Sequence, residues 1–498
     1  MEQKKDIWGN KLLLVLAVAG GAIGIGNFLR FPTLFAQYGG LFLVPYICSF
    51  FILGLPLMFI EWILGAMARD CGKNSLSLFL EYYAKNKFIK YLGIACVSAC
   101  LIISGYYMYI ESWILGYGWI SITGGFTNMA SGDMGDFLGQ YITLGDGICD
   151  VLVIVALVIT VFLNYFFTAK GISKGIAGLI KVSMPVLMII AIIMLIKVLF
   201  FTPGSWEGIK YMFQPRTGLG DSKMWIDAAS QMFYSLSVGF TATFTYVTYA
   251  DKNLDISKQG LMASYMNVGM EVLIASFIAI PVSYVAFGAD KIQDVVNSSS
   301  IAFGMVSMPA IFNNIPGGSL WNFLWFILLF IAALTSSLSI VQPSASFFCN
   351  KFNISKFKGT VCSLLVYLLI IIPSVVISVG VDEFDFWANS FIIPFGAFFL
   401  IWIVYQIGPK KCWAAYEENS SRPLNGFMKF CITVATPLML IIVMSLYIAN
   451  YGMDIIKLTA YAGDEVKMNG ALICRSIMAL VIFIYALVLG IPVKKKSE

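Results

Sequence analysis

Twelve stretches of this chain are each apolar for long enough to cross a lipid bilayer, and that constrains the fold more than any motif in it. A spanning helix needs about 20 predominantly apolar residues at a rise of about 1.5 Å each. Such runs fall near 12–37, 40–68, 88–121, 148–167, 176–200, 223–249, 260–288, 319–350, 359–380, 385–408, 426–450 and 470–493. Irregular backbone cannot face lipid, so the expected fold is an all-α polytopic membrane protein with no soluble domain. The first run is too long for a signal peptide, is interrupted by Arg30 and Pro32, and lacks a small-residue cleavage pattern.

Charge alternates between the loops. Arg69, Lys73, Lys85, Lys87 and Lys90 follow the second run, whereas residues 122–147 carry acids and no Lys or Arg. Lys170, Lys174, Lys351, Lys356, Lys358, Lys410, Lys411 and the terminal Lys494, Lys495 and Lys496 continue the alternation. By the positive-inside rule both termini are expected in the cytoplasm. The formal net charge of +5 then reflects basic loops beside anionic lipid, and no basic and aromatic stripe points to nucleic acid. Residues 201–222 and 289–318, rich in Gly, Pro, Asn and Ser, read as external loops, the second long enough to fold over a vestibule.

Histidine is absent, which removes the commonest general base and imidazole metal ligand together. The ten cysteines contain no CxxC pair and read as small core residues. "GISKG" at 171–175 fits the GxSxG pattern of hydrolases, but no strand precedes it and no His exists for a triad.

The first span carries "GGAIGIGNFLRFP" at 20–32, in which Asn27 lies past the midplane and Arg30 near the outer edge. Freed backbone groups at that depth are tolerated only against protein or a water-filled cavity, so this break should line a site. Gly20 and Gly24 also make a GxxxG packing face, which explains neither Asn27 nor Arg30. A dinucleotide loop is excluded because no strand precedes it and the third Gly is missing. The sixth span repeats the oddity at "QMFYSLSVGF", 231–240. Two broken spans five apart suggest inverted repeats, with half-helix ends offered to a zwitterion such as an amino acid.

The eighth span contains "ALTSSLSIVQP" at 333–343, and Thr335, Ser336, Ser339 and Ile340 in it share one face with the preceding Ala332. The hydroxyls either bond the carbonyls of their own preceding turn or form an oxygen cage for an alkali cation with carbonyls from the first break. Asn267 and Glu271 pair at i,i+4 in the seventh span, as a site or as a structural carboxyl. At "SGYYMYIESW", 104–113, Tyr107 and the Ile103 just before the motif stack at i,i+4 and wall either a pocket or the core.

Taken together and in order, "GIGNFLRFP", "YYMYIESW", "SLSVGF", "ALTSSLSIVQP" and "DEFDFW" resemble the neurotransmitter:sodium symporters, especially their bacterial amino-acid transporters, from Trp8 to about Gly408. The resemblance implies twelve spans, with two five-helix inverted repeats broken in helices one and six. The expected divisions are 1–200 for the N-terminal gate and first repeat, 223–408 for the second repeat, and 426–493 for two peripheral helices. It implies two sodium sites. One is formed by Ala22, Asn27, Ser235, Asn267 and the substrate carboxylate; the other by Gly20, Ile23, Ala332, Thr335 and Ser336. It places the substrate against Ala22, Gly24, Gly26, Ile103, Tyr107, Tyr234, Ser235, Ser237, Phe240, Ser336, Ser339 and Ile340. Arg30 and Asp385 resemble the outer gate pair, and Trp8, Lys5, Tyr249 and Asn350 the cytoplasmic gate.

Departures from the family pattern carry information. Relatives that transport monoamines have an Asp where this chain has Gly24, so a substrate bringing its own carboxylate fits better. Tyr46, Gln231 and Ser235 resemble the chloride ligands of animal members, but Glu271 stands where those have a hydroxyl. A fixed carboxylate can replace the anion, so transport is expected to be chloride-independent, with Glu271 also a candidate for proton exchange. Lys5 stands for the usual Arg and Asn350 for the usual Asp, so the latch loses its ion pair and should open inward more easily, an effect Asn350→Asp should slow. Tyr234 replaces the commoner Phe. Gly175 and Pro185 bracket nine residues of the fifth span, which either unwinds toward the second sodium site or is an ordinary proline kink.

The expectation is therefore sodium-coupled import of a neutral, hydrophobic or aromatic amino acid across a bacterial inner membrane. A membrane sensor that binds sodium and amino acid without transport is the alternative, and an enzyme lacks the residues it would need. Oligomeric state is not encoded in these motifs.

Overall fold

A computed structural model describes residues 6–83, 88–127, 129–130, 132–143, 150–313 and 317–492. Lys5, Lys85, Lys87, Cys149 and the terminal lysines lie outside the described residues. The described chain is helical throughout, without strands. Ten continuous helices are long and apolar enough to span: Gly40–Asp70, Ile89–Ile122, Asp150–Ala169, Ile172–Phe201, Ile256–Asn297, Gly318–Phe352, Lys356–Val376, Gly380–Ile407, Gly426–Asn450 and Glu465–Gly490. Span one is a bent pair, Lys11–Ala22 and Ile25–Tyr38, at 66°. Span six is divided into Ser222–Leu236 and Ala242–Thr248. With these two the molecule has its twelve spans, numbered here in chain order.

Spans three and eight form the longest helix contact in the molecule, and spans one and six lie against them. Burial follows this order. In the most apolar window of spans three and eight, 89% and 83% of residues are buried, against 22% and 28% in spans eleven and twelve. The outer helices therefore shield the inner ones, whose polar residues face protein.

Spans two, five, seven and ten each contain a π turn, at Phe50–Gly54, Ile172–Ile176, Met270–Ala275 and Ala388–Ile392. A π turn inserts a residue and re-aims the side chains around it, and such turns concentrate at functional sites. Two of these hold Glu271 and Asn389.

Several expectations need correction. The segments read as external loops carry helices: the short Ser205–Phe213 in the first, and Ser300–Phe312 beyond a kink at Gly288 in the second, which is largely helical. Gly288 takes φ +71°, open to glycine without strain, and lets the chain turn back over the bundle. Span five does not unwind between Gly175 and Pro185; it runs as helix, with Gly175 inside the π turn. Of the cysteines, Cys48, Cys71, Cys349 and Cys362 are only half-buried, so not all of them are core residues.

Candidate functional site

In span one the helix stops at Ala22, and Ile23 and Gly24 are extended. The Gly24 amide donates to Asn27 Oδ1 at 2.9 Å, and the Ile25 amide to Tyr107 Oη at 3.3 Å. The Asn27 amide turns to the Gly24 carbonyl at 3.2 Å. These detours leave the Gly20 and Ile23 carbonyls without the amides four residues on that would cap them in a continuous helix. The Gly21 carbonyl is taken by the Ser237 hydroxyl from the other break, at 3.0 Å.

The break in span six covers Ser237 to Thr241, with positive φ at Ser237 (51°), Gly239 (94°) and Thr241 (69°). Two of these residues carry side chains, and each costs about 1–3 kcal/mol unless its surroundings impose the conformation. Glu61, buried in span two, imposes it. Its carboxylate accepts the amides of Gly239 at 2.8 Å, Thr241 at 3.3 Å and Phe244 at 3.0 Å. The motifs did not single out Glu61, although an ionisable group inside an apolar span is itself a signal.

The two breaks border a cavity of about 240 Å³. Ala22, Gly24, Gly26, Ile103, Tyr107, Tyr234, Ser237, Phe240, Ser336 and Ile340 line it, so one molecule of metabolite size can touch all of them. Two expected contacts lie elsewhere. Ser235 points into the network around Glu271, and Ser339 Oγ donates to the Ser336 carbonyl at 2.7 Å behind Gly21. A Cβ on Gly24 would sit 3.0 Å from both Ser336 Oγ and Tyr107 Oη, which crowds any residue but glycine there. A wider groove of about 1060 Å³ between spans three, four and eight is lined almost wholly by apolar side chains and lacks converging polar groups.

Beside the cavity lies a buried polar network. Tyr46, Ser235 and Gln231 all donate to the Glu271 carboxylate, Ser235 at 2.6 Å and Gln231 at 3.1 Å. Asn27 Nδ2 reaches Asn267 Oδ1 at 2.8 Å and Glu271 at 3.2 Å, and Asn267 Nδ2 reaches Ser235 Oγ at 2.5 Å. Three of the residues expected around the first sodium, Asn27, Ser235 and Asn267, are thus gathered in one cluster of oxygen and amide groups. Oxygen donors suit a hard cation, and each amide oxygen retains a second lone pair.

The residues expected around the second sodium also adjoin. A Cβ on Gly20 would lie 3.5 Å from Thr335 Cβ and 2.8 Å from Met184 Sδ, so spans one, five and eight meet there. Thr335 Oγ1 donates to the carbonyls of Ile331 at 3.0 Å and Ala332 at 3.1 Å, bonding its own helix. Its lone pairs stay available, so bonding its own helix does not prevent it from also meeting a cation.

At one end of the cavity Arg30 and Asp385 do not pair directly. Arg30 donates to Gln231 at 2.8 Å and Ser230 at 3.1 Å, and its guanidinium stacks 4.5 Å above the Tyr234 ring. Asp385 accepts from Tyr106 at 2.7 Å, Asn389 at 2.5 Å and the Tyr234 hydroxyl at 3.3 Å. The hydroxyl that distinguishes Tyr234 from Phe therefore joins the two gate groups through one side chain. The cavity continues past them to Ser300 and Ile301 of the fold-back helix.

At the basic face Trp8 is 2% exposed; its indole donates to the Tyr246 carbonyl at 2.9 Å and its amide to that of Tyr249 at 3.2 Å. Tyr249 bonds Ser346 at 2.9 Å, and Asn350 accepts the Asn74 amide at 2.9 Å. The ion pair here belongs to a residue the motifs passed over. Asp6 meets Lys356 at 2.6 Å and accepts the Ile172 and Ser173 amides at 2.9 Å each, at the start of span five.

Two broken helices joined at mid-bundle, with carbonyls and amides turned into a polar cavity, define a secondary transporter of the broken-helix kind. The comparisons with known proteins agree. The chain belongs to the Sodium:neurotransmitter symporter family, whose model matches residues 5–134 and 127–490. An uncharacterized sodium-dependent transporter of Methanocaldococcus jannaschii is 27% identical, covering 90% of this chain and 91% of its own length. The sodium-dependent serotonin transporter of Drosophila melanogaster is 25% identical, covering 97% and 83%. The crystal structure of MhsT in complex with L-phenylalanine superposes with a TM-score of 0.76 at 24% identity, over 89% of this chain and 99% of that one. The protein is thus a multi-pass, sodium-dependent symporter, of a transport family and not an enzymatic one.

Proposed function

We propose that this symporter imports a neutral amino acid together with sodium, by alternating access around the cavity between the two breaks. The observation that carries this is the bare Gly24, flanked by the Tyr107 and Ser336 hydroxyls and abutting the Asn27, Ser235 and Asn267 cluster. A substrate carboxylate there would meet hydroxyl donors on one side and a sodium ion on the other, so each raises the other's affinity. MhsT was crystallised with L-phenylalanine, which suits the apolar walls Ile103, Phe240 and Ile340 of this cavity.

Two sodium ions are proposed as co-substrates. Ala22, Asn27, Ser235 and Asn267 hold the first, and Gly20, Ile23, Ala332, Thr335 and Ser336 the second. Transport is proposed to be chloride-independent, because donors that would bind an anion already converge on the Glu271 carboxylate. The face bearing Asp6, Trp8 and the basic loops is assigned to the cytoplasm and the opposite face to the exterior of a bacterial inner membrane. In that assignment Trp8 closes the inner path, and Arg30 and Asp385 stand apart on the outer one.

Reconstitution into liposomes tests the proposal. An inward sodium gradient should drive accumulation of a labelled neutral amino acid, unaffected when gluconate replaces chloride. Sodium-dependent binding without accumulation would make the protein a sensor and sink the transport reading.

A further inference from the structure

Span ten meets the cavity through Asp385, Asn389 and Ile393, at successive helical turns. Asn389 lies in the π turn Ala388–Ile392 and is 9% exposed. Its Nδ2 donates to Asp385 Oδ1 at 2.5 Å and to Tyr106 Oη at 2.8 Å, which uses both of its N–H groups. The Tyr106 hydroxyl proton is itself given to Asp385, at 2.7 Å. The amide cannot be turned over, because that would set one acceptor oxygen against another at Asp385. Its orientation leaves Asn389 Oδ1 as an acceptor that receives no hydrogen bond from any described residue. A buried carbonyl in that position is costly unless a ligand supplies the donor.

We propose that Asn389 Oδ1 is the specificity-determining acceptor of the substrate cavity, taking a hydrogen bond from an N–H or O–H on the substrate's side chain. The inference rests on the amino-acid transport reading and narrows it. Ile103, Phe240 and Ile393 give the same cavity apolar wall, while the hydroxyls of Tyr106 and Tyr234 are turned to Asp385. An unpartnered neutral acceptor in a cavity with apolar wall fits a side chain with an apolar body and a polar tip, as in a phenol or an indole. A hydrocarbon side chain would leave the acceptor unpaired, the condition under which binding sites discriminate most strongly. The three donors that meet Asp385 all reach its Oδ1, so a cationic side chain would be drawn to the other carboxylate oxygen, and only a neutral donor is matched to Asn389 Oδ1.

Competition binding to the purified full-length protein in sodium tests this with matched pairs: tyrosine against phenylalanine, and tryptophan against 1-methyltryptophan. The donor-bearing member of at least one pair should bind about tenfold tighter or more. That ratio should fall to about one in Asn389→Ala. No preference in either pair for the wild-type protein overturns the assignment, whatever the variant does. Lysine binding tighter than tyrosine also overturns it, by moving recognition to the carboxylates of Asp385 and Asp382. If phenylalanine binds in a sodium-dependent way but no preference appears, transport of amino acids stands and only the role of Asn389 falls. If no amino acid binds in sodium, both fall together.

Discussion

The two breaks touch through Ser237 and Gly21, yet they are mended differently. The break in span six is held from outside the cavity by Glu61, a carboxylate that accepts three amides and has no other task in the site. The break in span one is held by Asn27, Tyr107 and Ser237, which are also groups proposed to meet sodium and substrate. One break is fixed by the scaffold, and the other by the same oxygens its proposed ligands would compete for. On the proposed reading, span one is therefore the break whose shape ligands would bias.

The largest expected effect tests that asymmetry. Glu61→Gln keeps the shape but removes the charge that satisfies three buried amides, and should destabilise the fold by about 3 kcal/mol or more. Loss of the monodisperse peak in detergent, or a large fall in thermal midpoint, would show it. Asn27→Ala should unfold little by comparison while abolishing the sodium dependence of binding. Glu61→Gln with unchanged stability, or Asn27→Ala with collapsed stability, would reverse the comparison.

Gly24→Asp sharpens the account of span one. Its carboxylate would stand where the substrate carboxylate is proposed to bind, within 3.0 Å of groups that a Cβ alone already crowds. Affinity for an amino acid should fall about 100-fold, from repulsion and lost hydroxyl contacts. The decarboxylated amine should lose far less, measured by displacement of labelled amino acid. Equal losses for both would mean that the carboxylate does not sit at Gly24.

Much of this arrangement is legible in the sequence. Gly24, Asn27 and Ser237 stand out because each offends against a continuous apolar helix, and the structure places all three at the breaks. What is not legible depends on distant pairing or on helical phase. Asp6 finds Lys356 and the start of span five, contacts no local pattern contains. Ser235 and Ser339 belong to the right turns but face away from the cavity, and a one-residue difference in phase is enough for that. The helix Ser300–Phe312 is hidden by Pro309 and a Gly, Ser and Asn-rich setting that reads as loop. Glu61 was within reach of the same reasoning that marks Glu271, since each is a lone carboxyl in an apolar span.

Glu271→Ser carries the comparison to the polar network behind span one. With the carboxylate gone, Tyr46, Gln231 and Ser235 keep their donors and lose their acceptor. Unpaired buried donors around a vacated negative charge make an anion site, so uptake should become chloride-dependent, falling about tenfold in gluconate. Uptake by this variant that stays indifferent to chloride would mean that Glu271 does not stand in for the anion.

The smallest expected effect concerns the basic face, where Asp6 joins the N-terminal segment to span five and Lys356. The pair is partly exposed, with side-chain exposures of 12% for Asp6 and 49% for Lys356, so solvent screens it. Its loss should shift the conformational balance by about 0.5–1 kcal/mol, a two- to fivefold change in population. Gly171 is built around this contact: at φ +80°, a Cβ there would come within 2.6 Å of both Asp6 Oδ2 and Lys356 Nζ. Asp6→Asn should therefore loosen Trp8 from its seat and admit reagent to the cavity below, which Cys349 lines. Alkylation of Cys349, followed by mass spectrometry, should be two- to fivefold faster in Asp6→Asn and intermediate in Lys356→Gln, because the second variant leaves the two amide contacts intact. Equal rates in both variants would reduce the latch to the ion pair alone, and an unchanged rate in Asp6→Asn would leave Trp8 as the element that closes this face.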